Sequence, residues 1–231
     1  RNWLISASGD QTLKIWNVSD GTCVRTLQGH TNWVRGVSPS SDGRYLLSAS
    51  MDKTARLWDI ASSVQTLSTF LGHENGINCC AIAPTATYRN LAALAGQKTT
   101  YPLSNAAGFM ATDSRDRSIK LWDGQGTCFA TFVGHSNWVN ALAFHPGGRY
   151  LLSVSDDKTL RCWDLSLNGE CTYKLEGIHT QFITCLRWAD NFLKDTSQRK
   201  EEQTNNGVNK SQLRLVFATG SMDGSIKVFS S

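Results

Sequence analysis

One phrase is written several times along this chain, and it limits the possible folds more than any other feature. Gly29-His30 leads to Asp52 and then to Trp58-Asp59. Gly72-His73 leads to Asp116 and Trp122-Asp123, and Gly134-His135 leads to Asp157 and Trp163-Asp164. A degraded copy runs from His179 through Asp223 to Phe229, and the chain opens inside another copy at Asp10 and Trp16-Asn17. The tryptophans at 16, 58, 122 and 163 lie 42, 64 and 41 residues apart. A period of roughly 40–45 residues is that of the four-stranded propeller blade. The longer interval contains an insertion, and so does the last copy.

Within each copy the residues read as strands. Residues 46–50 and 55–58 flank Met51-Asp52-Lys53-Thr54, a turn rich in side chains that bond their own backbone. Residues 33–37 alternate in polarity and stop before Pro39. No run of ten residues keeps a 3.6-residue apolar period, so almost no helix is expected. A single blade cannot bury both faces, whereas blades stacked around an axis bury one another. The sequence therefore predicts an all-β propeller of about five four-stranded blades, two of them incomplete, at residues 1–28, 29–71, 72–133, 134–175 and 176–231. The inserts are residues 85–108, read as a loop, and residues 190–212, polar, charge-mixed and read as disordered. Both connect an inner strand to a second strand and so hang from one face of the disc. The first copy lacks its inner strand and the last lacks its outer one. The reading is an open arc with exposed edges, part of a larger ring.

The repeated polar residues have a bonding logic. His30, Ser48, Asp52 and Trp58 fall where one connected set can form, from indole to hydroxyl to imidazole to carboxylate. His73, Thr112, Asp116 and Trp122 make a parallel set, as do His135, Ser153, Asp157 and Trp163. Such a set is tolerable inside a blade only if every member is satisfied. Phe229 stands where the last copy needs an indole donor, so that copy is expected to be looser. These sets also have the ingredients of nucleophilic catalysis, but a catalytic constellation occurs once, with an exposed nucleophile and an oxyanion pocket. Sets that recur in each blade with a tryptophan attached read as structure, and no catalytic residue is expected.

The chain has 231 residues and a net charge of +4, with its Lys and Arg scattered. A nucleic-acid-binding protein would carry a basic stripe, and none is visible. Seven cysteines without a Cys-x-x-Cys pair read as small buried apolar residues and free thiols of a reducing compartment, not as a metal site. No apolar run approaches 18 residues, so no membrane span is expected. Cofactors are expected to be none.

Positions beside the repeated set carry the functional signal. The histidine loops and the Asp turns lie on one face of the disc, and their flanking residues surface there. Trp33 and Trp138 stand just before inner strands and belong to no polar set. Each can cap the central channel or anchor a partner, since Trp and Arg dominate interface hot spots. Arg115 near Trp138, with Lys158 beyond it, would suit a carboxylate-bearing partner.

The Gly-His/Trp-Asp pattern resembles the WD40 propeller family across almost the whole chain. Its wording is closer still to one branch. Gly29-His30-x-x-Trp33-Val34-Arg35, Ser114-Arg115-Asp116-Arg117-Ser118-Ile119-Lys120, Gly134-His135-Ser136-Asn137-Trp138-Val139 and Asp156-Asp157-Lys158-Thr159-Leu160-Arg161 resemble the lissencephaly-type regulators of cytoplasmic dynein. The inserts and Cys185-Leu186-Arg187-Trp188-Ala189 with Lys194-Asp195-Thr196 are similar to their filamentous-fungal form, nuclear distribution protein F. The resemblance implies a seven-bladed ring, preceded in the family by a dimerisation motif and coiled coil; this chain would be the C-terminal part, without the dimerisation region and about two blades. It implies binding to the dynein motor domain, association with other nuclear distribution proteins, and a cytoplasmic, microtubule- and spindle-pole-associated role in nuclear migration and spindle positioning. Three motor-contacting positions of the family match at Arg115, Trp138 and Lys158. Two depart: Gly9 stands where the family carries Arg, and Thr31 where it carries a basic residue. The alternative is a WD40 scaffold of another class, of ubiquitin-ligase or chromatin type, using the same face for peptides.

Overall fold

The computed structural model describes residues 2–61, 65–96, 108–189 and 216–230. These form five antiparallel sheets, each joining strands that follow one another in the chain. Blade 1 holds β1 (Trp3–Ala7), β2 (Leu13–Asn17) and β3 (Cys23–Leu27). Blade 2 holds β4 (Val34–Pro39), β5 (Tyr45–Ser50), β6 (Ala55–Asp59) and β7 (Gln65–Phe70). Blade 3 holds β8 (Ile77–Ile82), β9 (Phe109–Ser114), β10 (Ser118–Asp123) and β11 (Cys128–Val133). Blade 4 holds β12 (Val139–Phe144), β13 (Tyr150–Ser155), β14 (Leu160–Asp164) and β15 (Glu170–Leu175). Blade 5 holds β16 (Ile183–Trp188), β17 (Val216–Ser221) and β18 (Ile226–Ser230).

The four inner strands β4, β8, β12 and β16 pack side by side. Each carries a bulge near its start, at Arg35, Asn78, Asn140 and Thr184. A bulge kinks the strand and re-aims the extra side chain. The apolar core is divided among the seams between blades. One cluster, with Leu13, Ile15, Leu46 and Trp58, fills the seam of blades 1 and 2. Leu57, Phe70, Ile77 and Trp122 fill the next. Leu121, Phe132, Leu142, Leu151 and Trp163 lie between blades 3 and 4, and Val154, Leu160, Ile183 and Leu186 between blades 4 and 5. Each such tryptophan buries roughly 150–250 Å², or about 4–6 kcal/mol of gross transfer free energy. This is the stacking that a repeat of half-buried sheets requires.

The glycines of two Gly-His pairs are closely approached by an arginine and a tryptophan of their blade. At Gly29, φ is +153°, and a Cβ there would lie 3.0 Å from Arg56 Nη1 and 3.3 Å from Trp58 Cη2. At Gly134 a Cβ would lie 3.2 Å from Trp163 Cη2.

Three sequence expectations are corrected. Residues 85–108 are not simply loop: a 3-10 turn at Thr85–Thr87 leads into helix α1 (Tyr88–Leu94). Only Leu91 and Ala92 of that helix are fully buried, and the Tyr88 ring stands edge-on to Phe109 at 5.6 Å. A seven-residue helix with so few core contacts leaves no readable apolar period. Residues 97–107 and the 190–212 insert lie outside the described residues. The cysteines are mostly not buried: Cys80 is, Cys79 and Cys162 are partly so, and Cys23, Cys128, Cys171 and Cys185 are exposed. Cys23, Cys128 and Cys171 sit on outermost strands, where one strand edge and much of the surface meet water. Finally, Pro39 ends β4 instead of following it, as the missing amide of proline permits at a strand end.

Candidate protein-interaction face

Each blade interior holds a hydrogen-bond relay whose direction follows from its donors. In blade 2 the Trp58 indole N–H donates to Ser48 Oγ (2.9 Å), and the Ser48 hydroxyl donates to His30 Nε2 (2.7 Å). An indole can only donate, so the serine proton is free to go onward and His30 must carry its proton on Nδ1. That N–H donates to Asp52 Oδ2 (2.7 Å). Asp52 Oδ2 also accepts from the Thr31 amide, and Oδ1 accepts the Thr54 amide and hydroxyl. The arrangement is repeated by His73, Thr112, Asp116 and Trp122 in blade 3 and by His135, Ser153, Asp157 and Trp163 in blade 4, with every link between 2.7 and 2.9 Å.

Blade 5 keeps His179, Thr219 and Asp223, but Phe229 gives Thr219 no indole donor, and His179 Nδ1 stands 3.1 Å from Asp223 Oδ2. Phe229 instead stacks on Phe217 at 4.8 Å. Blade 1 keeps the Trp16 to Ser6 bond at 2.8 Å.

Burial pushes the His30 and His135 pKa values down, against the pull of Asp52 and Asp157, so both rings are neutral. Burial works against the carboxylates, but the hydrogen bonds they accept hold Asp52, Asp116 and Asp157 below the usual carboxylate range. The Ser48, Thr112 and Ser153 side chains are completely buried. Each hydroxyl is committed to both an indole and an imidazole, which leaves it unable to approach a substrate. These residues hold the blades.

The turn that carries each Asp also displays its neighbours. Gln11, Lys53, Arg117 and Lys158, each one residue after the turn Asp, take positive φ between 66° and 72°. The residue before the Asp meets the following blade. Arg115 lies over the Trp138 ring, its guanidinium carbon 4.2 Å from the ring centroid. Its Nε donates to Asn78 Oδ1 (3.3 Å), and its own amide donates to the Gly76 carbonyl. Burial and the neighbouring Arg35 guanidinium lower the Arg115 pKa, while Asp156 opposes them.

Asn78 Nδ2 donates across the seam to the Val139 carbonyl (2.8 Å), and Asn140 Nδ2 donates to Asp156 Oδ1 and to the Ile183 carbonyl (2.9 Å). Arg35, Asn78, Arg115, Trp138, Asn140 and Asp156 thus line a cleft of about 410 Å³, walled further by Phe182 and Met222. Two guanidiniums face one carboxylate, which leaves a net positive cleft with an aromatic wall. Such a site accepts a carboxylate bidentately and an apolar neighbour beside it.

Of the four partner-site residues expected from sequence, Arg115 and Trp138 are brought into contact. Lys158 stands exposed on the turn that follows Asp156, beside the cleft but not among its lining residues. Trp33 is 56% exposed one blade pair away and packs over Gly9, where a Cβ would lie 3.5 Å from its ring. The same column holds Gly76 in blade 3, whose space is filled by the Met51 side chain. Asn78 was not singled out by the sequence. The signal was there: it aligns with Arg35, Asn140 and Thr184 one residue into each inner strand, a column of bulge residues.

Among the described residues no group of three His, Cys, Asp or Glu could hold a metal ion, and no helix is long and apolar enough to cross a membrane.

Sheets stacked in this way, with a tryptophan-capped relay in blade after blade, define a β-propeller of repeated modules, and the chain belongs to the WD40 family. The family model described as WD domain, G-beta repeat, matches residues 1–17, 21–59, 64–123 and 126–164. More particularly, the chain is 55% identical over 99% of its length to nuclear distribution protein PAC1-2 of Uncinocarpus reesii, covering 52% of that protein. It is 52% identical to nuclear distribution protein PAC1 of Arthroderma benhamiae, again over 99% of the chain and 51% of the relative. Against nuclear distribution protein nudF of Aspergillus niger it is 44% identical over 99% of the chain and 52% of the relative. The chain spans about half the length of the curated relatives it matches.

Proposed function

We propose that this chain is a non-catalytic interaction module that binds the motor domain of cytoplasmic dynein and regulates it on microtubules, in nuclear migration and spindle positioning. The observation that carries the reading is the Arg115–Trp138 stack, which occurs once among the described residues. The positions equivalent to Arg115 hold Gly9, Met51, Asp156 and Met222, so no other blade can make it. Trp138 is 40% exposed at the rim of a net positive cleft, a setting in which a partner carboxylate can join the guanidinium while an apolar side chain covers the indole. Lys158 and Trp33 extend the contact on the same face. The relatives named nuclear distribution proteins support the choice of pathway. Further partners in this reading are dynein-associated nuclear distribution proteins, and the place of action is the cytoplasm, at microtubules and the spindle pole. Neither nucleic acid nor membrane is a partner in this reading.

Titrating the dynein motor domain with the wild-type chain and the Trp138→Ala variant tests this reading. The expected result is a loss of about tenfold to a hundredfold in affinity, the range of an interface hot spot. Equal affinity for the two proteins would sink it.

A further inference from the structure

The helix that the sequence did not reveal sits at a position that matters for the contact face. The segment after β8 leaves blade 3 on the side away from the histidine loops and crosses to blade 4. There Asn90 Nδ2 donates to the Gly148 carbonyl (2.9 Å), in the turn between β12 and β13. Gly148 has φ +79°, and a Cβ on it would come within 2.1 Å of the Ala86 carbonyl oxygen, so only glycine lets the two blades' loops approach this closely. α1 packs against the 3-10 turn Leu165–Leu167 of blade 4. Leu91 and Ala92 join one buried cluster with Phe109 of blade 3 and Phe144 and Leu165 of blade 4. On the other side of the disc the same seam carries the Asn78 to Val139 bond and the Arg115–Trp138 stack. Blades 3 and 4 are therefore tied at both ends of their shared seam.

We propose that α1 is a clasp that sets the spacing of Arg115 and Trp138, with Asn90 and Gly148 as positioning residues for a contact they do not touch. The proposal rests on the reading of Arg115 and Trp138 as partner contacts, and its first test does not involve the partner. Opening the clasp lets the two blades shift against one another, so the upper end of the seam loosens although its own residues are intact. The guanidinium and the indole then meet a partner in a spread of geometries, and affinity falls.

Hydrogen exchange of the unliganded chain is measured for wild type, Asn90→Ala and Gly148→Ala, followed by motor-domain titrations that include Arg115→Ala and the Asn90→Ala/Arg115→Ala pair. Exchange at residues 113–116 and 138–141 is expected to quicken in both clasp variants. Asn90→Ala is expected to bind about threefold to tenfold more weakly, at temperatures where its melt is that of a folded protein. The double variant should bind within twofold of Arg115→Ala alone, because the two changes disable one contact. Unchanged exchange in Asn90→Ala overturns the clasp whatever the partner does. Where Arg115→Ala itself weakens binding, losses that simply multiply in the double variant, or an Asn90→Ala affinity within twofold of wild type, overturn it as well. If Gly148→Ala fails to fold, Asn90→Ala carries the test alone. If exchange quickens but Arg115→Ala binds as wild type does, the clasp stands as a brace of the seam, and its role in positioning falls together with the partner reading.

Discussion

His135 and Trp138 lie three residues apart on one loop and serve opposite purposes. His135 turns inward to a relay that is buried, satisfied at every atom and copied in blades 2 and 3. Trp138 turns outward, is 40% exposed, and rests on an arginine that no other blade supplies. In a repeat protein each blade must solve the same packing problem, so what recurs is what holds the blade together. What occurs once is under no such demand. The difference separates stability from recognition within a few ångströms of chain, and it can be broken in either direction by substitution.

The largest effect is expected from Ser153→Ala. It leaves the Trp163 indole N–H and His135 Nε2 buried without partners, at about 1–3 kcal/mol for each group. We predict a loss of about 2–5 kcal/mol in denaturant unfolding, with motor-domain affinity per folded molecule unchanged. A variant that stays as stable as wild type would mean that the relay is ornamental. It would also reopen a chemical role for the serine.

The second prediction exchanges blade 5's weakness for blade 4's strength. Phe229→Trp gives Thr219 the indole donor it lacks and should raise stability by about 1 kcal/mol, read as a rise in melting temperature. An unchanged or lower melting temperature would mean that the stack of Phe229 on Phe217 outweighs the missing hydrogen bond.

The third concerns proton linkage and is smaller. His30 and His135 have folded pKa values below the ordinary 6.5, so the unfolded chain binds protons that the folded one refuses. Stability should therefore fall as pH drops through about 6.5. The depressed Asp52, Asp116 and Asp157 add a further loss as pH falls below their ordinary 3.8.

Asp113 acts in the opposite sense. It is buried in β9, Oδ1 accepts from the Cys79 amide (2.8 Å), Oδ2 has no hydrogen-bond partner among the described residues, and burial pushes its pKa well above the usual carboxylate range. Its stabilising share is present at low pH and is lost as pH rises through that raised value. Asp113→Asn should accordingly lessen the loss of stability as pH rises above the ordinary 3.8, while leaving the profile below 3.8 as it was. An unchanged slope above pH 3.8 would contradict this.

The repeat made the blades, their strand order and the relay legible, because each copy restates the same spacing and the copies check one another. What occurs once is harder to read. Helix α1 was missed because seven residues with two fully buried side chains give no period to find. Asn78 was missed because a bulge breaks the alternation that reveals a strand. The exposed cysteines were misjudged because residue type says little about which strand of a blade faces water. Arg115 and Trp138 are legible in the sequence as neighbours on one face, but not as a stack. Their contact follows from the stagger of one blade's turn against the next blade's loop, which no single copy contains.

Arg115→Ala puts the central claim to its most direct test, with one sample taken through both a thermal melt and a motor-domain titration. The account predicts a melting temperature lowered by only about 2–4 °C, the loss of one cation–π contact of about 0.5–1 kcal/mol, and an affinity at least about tenfold weaker. A variant that melts early yet binds as tightly as wild type would place Arg115 among the residues that hold the blades and leave the face without its contact.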